Sequence, residues 1–283
     1  MSCYFFIKVA FKIRTALNVV LLGKLISFYC INISYIIYMN RNIILFDVGS
    51  QNGEQFLRYN KKYDNVTTYA FEPTPTACNN IKKKIKDLNN FHLIDKAITT
   101  NNGTSNFYIS VKDKGQDTGS GLNSLNEFNS IDILRKDWGN LSKSKVKSEK
   151  RLKKFQVKNS IKVETTRLDT FIKNNNIKHI HYLHIDVQGD DFNVLKSLGK
   201  HIDIVDLGMV EVVGDEKTPL YSNCNNNRKD VIKFLTNNNF KIIRESKNDK
   251  KSNELNIRFC KNNLDFSLIS EELLHIYKDN LMI

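Results

Sequence analysis

The residues best placed to do chemistry are acidic side chains at the ends of short apolar runs. The first run, residues 42–48, leads into Asp47-Val48-Gly49-Ser50-Gln51-Asn52-Gly53. Glycines at 49 and 53 let the backbone turn tightly and approach a ligand, and the N-terminus of a following helix offers free amides. A dinucleotide site would show G-x-G-x-x-G, whose glycines admit a pyrophosphate; here the spacing is G-x-x-x-G, with a carboxylate two residues before the first glycine. That carboxylate opposes a pyrophosphate but complements a cationic sulfonium and an amino group. Asp47, Gly49, Ser50 and Gly53 are therefore candidate ligands of S-adenosylmethionine, and the chemistry indicated is methyl transfer rather than hydride transfer.

Glu72 ends the run 67–72, a position from which a carboxylate can accept hydrogen bonds from both ribose hydroxyls. Asp95 lies in the run 91–98, where it could reach an adenine amino group. His184-Ile185-Asp186-Val187-Gln188-Gly189 closes a further run, and strand alternation puts Tyr182, His184 and Asp186 on one face. Methyl transfer to a hydroxyl is an in-line displacement that needs alignment and a base for the hydroxyl proton. Asp186 and His184 are alternative bases, with Glu211 at the next strand end as a substrate contact. Histidine titrates near neutral pH, although a strand histidine also serves as a packing residue. No metal-ligand spacing is present.

These residues need a scaffold that brings strand ends together. Strands are expected at 42–48, 67–72, 91–98, 103–111, 161–167, 181–187, 203–212, 240–244 and 255–260. Helices are expected at 52–61, 76–88, 168–174, 190–198, 227–236 and 264–281. Their alternation predicts an α/β fold of Rossmann-like type, with a seven-stranded, mostly parallel sheet and helices on both faces. Residues 112–158 form an insertion, first rich in Gly, Ser and Asn, then strongly basic.

Across 283 residues the formal charge is +13 and the pI about 9.4. That charge favours anionic partners, but the Lys-, Asn- and Ile-rich composition of AT-rich coding DNA accounts for much of it. Five scattered cysteines lack a Cys-x-x-Cys pair, which points to a reducing compartment and no structural zinc. Residues 1–40 form a basic and apolar segment, either a membrane anchor or a packed arm, with Lys24 interrupting its apolar stretch. The expected organisation is this segment followed by one catalytic domain at 41–283, with the basic insertion at about 112–160. The expected location is a cytoplasmic catalytic domain, with membrane association following only on the anchor reading of residues 1–40.

Taken together, the motifs resemble the FkbM-like methyltransferases. The matching pieces are D-V-G-x-x-x-G at 47–53, F-E-P at 71–73, K-A-I at 96–98, S-L at 124–125, L-D-T-F at 168–171, I-D-V-Q-G at 185–189, V-L-K at 194–196 and V-E at 210–211. They occur in the family's order over about residues 43–260. The resemblance implies a class I methyltransferase fold, S-adenosylmethionine as donor, and O-methylation of a hydroxyl, often on a sugar or glycoconjugate. It assigns Asp47, Gly49 and Gly53 to the methionine end, Glu72 to the ribose and Asp95 to the adenine, with Asp186 beside the transferring methyl. His184 stands where many relatives have Lys, which leaves the base open. Two rival readings are an RNA methyltransferase that uses the basic run 143–158, and a non-catalytic Rossmann-like scaffold.

Overall fold

The computed structural model describes residues 42–109, 121–138, 159–247, 253–265 and 269–281. In chain order the elements begin β1 (Ile43–Val48), α1 (Glu54–Lys62), β2 (Val66–Phe71), α2 (Pro75–Ile85), β3 (Phe91–Ile94), β4 (Ala97–Ile98), β5 (Gly103–Ile109), α3 (Ile131–Trp138) and β6 (Asn159–Thr166). They continue with α4 (Leu168–Asn174), β7 (Ile180–Ile185), α5 (Asp191–Ser197), a 3-10 turn (Gly199–Ile204), β8 (Val205–Val213), α6 (Arg228–Asn237), β9 (Phe240–Lys247), β10 (Glu254–Lys261) and α7 (Glu271–Leu281).

The main sheet has seven strands in the order β3-β2-β1-β7-β8-β10-β9. From β3 to β8 every pairing is parallel, and β10 runs antiparallel to both β8 and β9. This is the expected Rossmann-like architecture. β1, β7 and β8 are buried on both faces and read as near-continuous apolar runs, because helices cover each side. On one face, Phe56 and Tyr59 of α1 and Leu273, Ile276 and Tyr277 of α7 pack on Leu45, Tyr182 and Leu207. Ile81 of α2 joins Leu57 and Ala70 on the same side. On the other face Leu168 and Ile172 of α4, Val194 and Leu195 of α5, and Val231 and Leu235 of α6 cover Phe46, Leu183 and Val210. Asn227 caps α6 by accepting a hydrogen bond from the Asp230 amide at 2.9 Å.

The expected strand at 91–98 is two elements. β3 ends at Ile94, and Ala97–Ile98 pairs instead with Thr165–Thr166 in a separate three-stranded sheet, β4-β6-β5. Ala97, Phe107 and Val163 give this small sheet its own core, joined by Leu125. The start of the strand expected at 203–212 is a 3-10 turn, and α7 begins at Glu271, later than expected. The insertion is not wholly irregular: α3 lies in it, with Leu134 buried against Leu220 and Tyr221. Its basic run at 143–158 lies outside the described residues, as do residues 1–40 and any membrane role they have. Among the described residues no helix is long and apolar enough to cross a membrane.

Candidate active site

The loop after β1 is shaped by left-handed residues. Gly49 has φ +90, Gln51 +50 and Gly53 +72, so the chain doubles back and starts α1 directly over the strand end. A Cβ on Gly49 would lie 1.9 Å from the Asp186 carbonyl oxygen, so glycine is required there by close packing of β1 on the chain leaving β7. Gly53 meets Ile81 of α2, where a Cβ would be 3.1 Å from a side-chain carbon. The two glycines thus serve the packing of the loop first, and Gly53 lines neither cavity described below.

Strand register then builds a row across the sheet. Asp47 of β1 is opposite His184 of β7, His184 opposite Met209 of β8, and Met209 opposite Arg258 of β10. All four side chains rise on the α1/α7 face. Asp47 is 1% exposed, and both of its carboxylate oxygens are engaged. One accepts the Ser50 hydroxyl at 2.6 Å, and the other pairs with His184 Nδ1 at 2.9 Å. Since the carboxylate accepts, Nδ1 carries the proton and Nε2 is the acceptor of the ring. Phe56 meets the imidazole edge-on at 6.2 Å, which fixes its plane. Burial favours the neutral ring, but the hydrogen bond and charge of Asp47, with the charges of Asp186 and Asp191, outweigh it. The His184 pKa therefore lies above its ordinary value.

Two cavities open at the C-terminal ends of the parallel strands, where open α/β sheets bind ligands. The first is a narrow slot with Ala77, Ile98, Leu125 and Val187 among its walls and Glu72 at its edge. Glu72 is buried and accepts from the Gln51 amide at 3.0 Å and from the Thr74 amide and hydroxyl at 2.8 and 2.6 Å. It thereby ties the β1 loop to the β2 loop. The second cavity, about 620 Å³, has His184, Asn256, Arg258, Arg58, Asp279 and Asn280 in its walls, with Asp47 and Ser50 at its base. Gly49, Gln51 and Asp186 line both, so the cavities meet there.

At this junction the Gln188 amide donates to Asp186 Oδ1 at 2.7 Å and to Glu211 Oε2 at 3.3 Å. Asp191, fully buried, accepts the Val187 amide at 2.8 Å, the Gly189 amide at 3.0 Å and the Asn226 amide group at 2.5 Å. Burial and then the charge of Asp186 push the Asp191 pKa up.

The structure thus brings Asp47, Ser50, Gly49, Glu72, His184 and Asp186 to the two cavities. Glu211 is 3% exposed and lines neither, reaching the site through Gln188. The structure does not bring Asp95 to the slot: it follows the end of β3, is exposed, and lines neither cavity, while the next residue, Lys96, does line the slot. Asp95 falls in the two-residue link between β3 and β4, from which its charge acts on Cys78 of α2, next to Ala77 of the slot wall. Tyr221, Arg258 and Asn280 were not singled out from the sequence. For Tyr221 a signal existed, the apolar pair Leu220-Tyr221 in an otherwise polar loop after Pro219.

A comparison with curated protein sequences finds no match. Solved structures with a similar chain path include an rRNA methylase from Streptococcus thermophilus, with a TM-score of 0.39 at 10% identity, covering 81% of this chain and 92% of that one. Fibrillarin from Aeropyrum pernix with natively bound S-adenosyl-L-methionine gives 0.39 at 9% identity, covering 78% and 68%. TrmK from M. capricolum with S-adenosyl-homocysteine gives 0.40 at 12% identity, covering 84% and 72%. Family assignment rests instead on the sequence match to the model described as "Methyltransferase FkbM domain", which spans residues 47–242 and so includes Asp47, Glu72, His184, Asp186 and Glu211. On that match the chain belongs to the FkbM methyltransferase domain family, a family of S-adenosylmethionine-dependent methyltransferases.

Proposed function

We propose that the protein methylates a hydroxyl of a sugar or glycoconjugate, with the donor's adenosine in the narrow slot and its methionine end passing Gly49 and Asp186 into the larger cavity, the acceptor in the rest of that cavity and His184 as the base. The observation that carries this reading is the buried Asp47–His184 pair at the base of a polar cavity of about 620 Å³.

The residues present fit S-adenosylmethionine. Apolar walls from Ala77, Ile98, Leu125 and Val187 suit a purine, and Glu72 at their edge suits ribose hydroxyls. Asp186, at the junction, suits a cationic sulfonium. When bound, the donor supplies an electrophilic methyl group. Asp47, held by Ser50 and His184, contributes negative charge at this end and keeps the imidazole in the Nδ1-protonated tautomer. His184 Nε2 is then the atom that takes the acceptor's proton, and its raised pKa makes it a stronger base than a free imidazole. Between the two candidate bases this favours His184, because the amide of Gln188 already holds Asp186.

The larger cavity takes its walls from the amides Gln55, Asn256 and Asn280, the guanidinium groups of Arg58 and Arg258, and carboxylates. A dense array of donors and acceptors matches a polyhydroxyl ligand, whereas a flipped base is held by stacking on aromatic or apolar faces. The volume lies in the range of small-ligand sites, roughly 300–1,000 Å³.

The test is transfer of labelled methyl from S-adenosylmethionine by the full chain to a panel of hexoses, deoxyhexoses, uronic acids and nucleotide-linked sugars, with RNA in the same panel. The expected result is label on a sugar hydroxyl, and a His184→Ala variant slower by about 100-fold or more with unchanged donor affinity by calorimetry. Label on RNA alone would overturn the acceptor reading. Full turnover by His184→Ala would remove His184 as base.

A further inference from the structure

Tyr221 stands outside the chemistry proposed above, yet it is fully buried and bonded toward it. Its ring is stacked on Phe128 at 4.9 Å, and its other side abuts Gly189, where a Cβ would come within 2.9 Å of the ring. A backbone bridge pairs Phe128 with Tyr221. The hydroxyl reaches the Gln188 Oε1 at 2.9 Å and the Leu122 carbonyl at 3.1 Å. Leu122 belongs to the 121–128 segment, which contributes Gly121, Asn123 and Leu125 to the slot. Ser124, in the same segment, donates to the Gln188 carbonyl at 2.5 Å.

Gln188 therefore has both ends of its side-chain amide engaged. Its side-chain oxygen accepts from Tyr221, and its amide nitrogen donates to Asp186 and Glu211. Since an amide plane is rigid, fixing the oxygen end fixes where the nitrogen end points. Backbone strain reinforces this, because Gln188 has φ +59, a conformation that surrounding contacts must hold in place.

We infer that Tyr221 is a positioning residue for methyl transfer: through the Gln188 amide it couples the 121–128 segment over the donor slot to the orientation of the Asp186 carboxylate. This rests on the reading that the donor's sulfonium lies beside Asp186. Burial, followed by the charges of Glu254 and Glu211, pushes the phenol pKa well above its ordinary value, so the hydroxyl keeps its proton throughout the working pH range. Removing that hydroxyl leaves the Gln188 amide held through its nitrogen alone, and the direction of Asp186 is less firmly set.

A charge-sensitive readout isolates this role from mere folding. S-adenosylmethionine carries a sulfonium and S-adenosylhomocysteine a neutral sulfur, so the ratio of their affinities reports how well a carboxylate is aimed at the sulfur. Calorimetry with both ligands on the full chain would compare the wild type, Asp186→Asn, Tyr221→Phe and Gln188→Ala, with melting curves for each. Asp186→Asn should lower the preference for the cation by about fivefold, the worth of a unit-charge contact at short range in water. Tyr221→Phe and Gln188→Ala should each lower it by a large part of that, and the double variant by no more than either alone. A wild-type ratio in a folded Tyr221→Phe, with the ratio lost in Asp186→Asn, overturns the coupling and leaves the donor reading standing. A wild-type ratio in Asp186→Asn overturns both.

Discussion

At the scale of the residue, the proposed role of His184 as base makes the Asp47–His184 pair the group that sets the pH response. A base must be neutral to act, so turnover should rise with pH through the His184 pKa, which lies above its ordinary value of about 6.5. Asp47→Asn removes the partner's charge while keeping its shape, leaving burial to favour the neutral ring; the acid limb of the kcat/KM profile should then move to lower pH. An unmoved limb would mean that another group titrates. The same pair has a stability signature. A histidine whose folded pKa exceeds its unfolded one adds stability that is fully present below about pH 6.5 and is lost as pH rises through the folded value. His184→Gln should therefore cost more stability at pH 5.5 than at pH 8.5, measured by urea unfolding. Asp47, Glu72 and Asp186 were legible in the sequence because each sits at a strand end, where alternation and topology alone aim a side chain at the crevice. Asp95 lies past the end of its strand for the opposite reason: β3 stops at Ile94, four residues before the end of the expected 91–98 run. Arg258 was illegible because it sits within a strand, and only the antiparallel register of β10 places it beside Met209 and over the cavity.

At the scale of the element, the site depends on how tightly β1 and β7 approach at their ends. Gly49→Ala adds a carbon 1.9 Å from the Asp186 carbonyl at a φ of +90, so strand and loop cannot both keep their places. A loss of about 3 kcal/mol or more is expected from urea titration. Helix α7 forms the far wall of the larger cavity and lies beyond the 47–242 region matched by the family. Its Asn280 is buried, donating to the Tyr59 hydroxyl at 3.1 Å and the Ile276 carbonyl at 2.7 Å, and accepting from Gln55 at 2.9 Å. Its own carbonyl accepts from Arg258 at 2.8 Å. Asn280→Ala should cost about 1 kcal/mol by removing the hydrogen bonds of a buried side chain, and it should weaken the acceptor while sparing the donor, because α7 does not touch the slot. Equal weakening of donor binding, read by calorimetry, would contradict that division of labour. The alternation of β1, α1, β2 and α2 was legible because each strand is bounded by Gly or Pro and each helix has one apolar face. The second sheet was not, because β4 is only two residues long and is set off from β3 by just the pair Asp95-Lys96, too short a break to mark a new strand.

At the scale of the whole molecule, the two cavities and the wall they share set the kinetic order. The slot is walled by β2, α2 and the small sheet, and the larger cavity by α1, α7 and β10. Gly49, Gln51 and Asp186 belong to both. Two ligands that meet only at such a junction react in a ternary complex, where holding the reacting atoms in line supplies much of the acceleration. Initial rates with both substrates varied should accordingly give intersecting double-reciprocal lines. S-adenosylhomocysteine should compete with S-adenosylmethionine and not with the acceptor. Parallel lines would require the methyl group to rest on a protein side chain between two half-reactions, and would move His184 from base to nucleophile. The geometry favours intersecting lines, since Asp47 holds His184 Nδ1 and leaves the imidazole in the wall of the larger cavity, on the proposed acceptor's side of the junction.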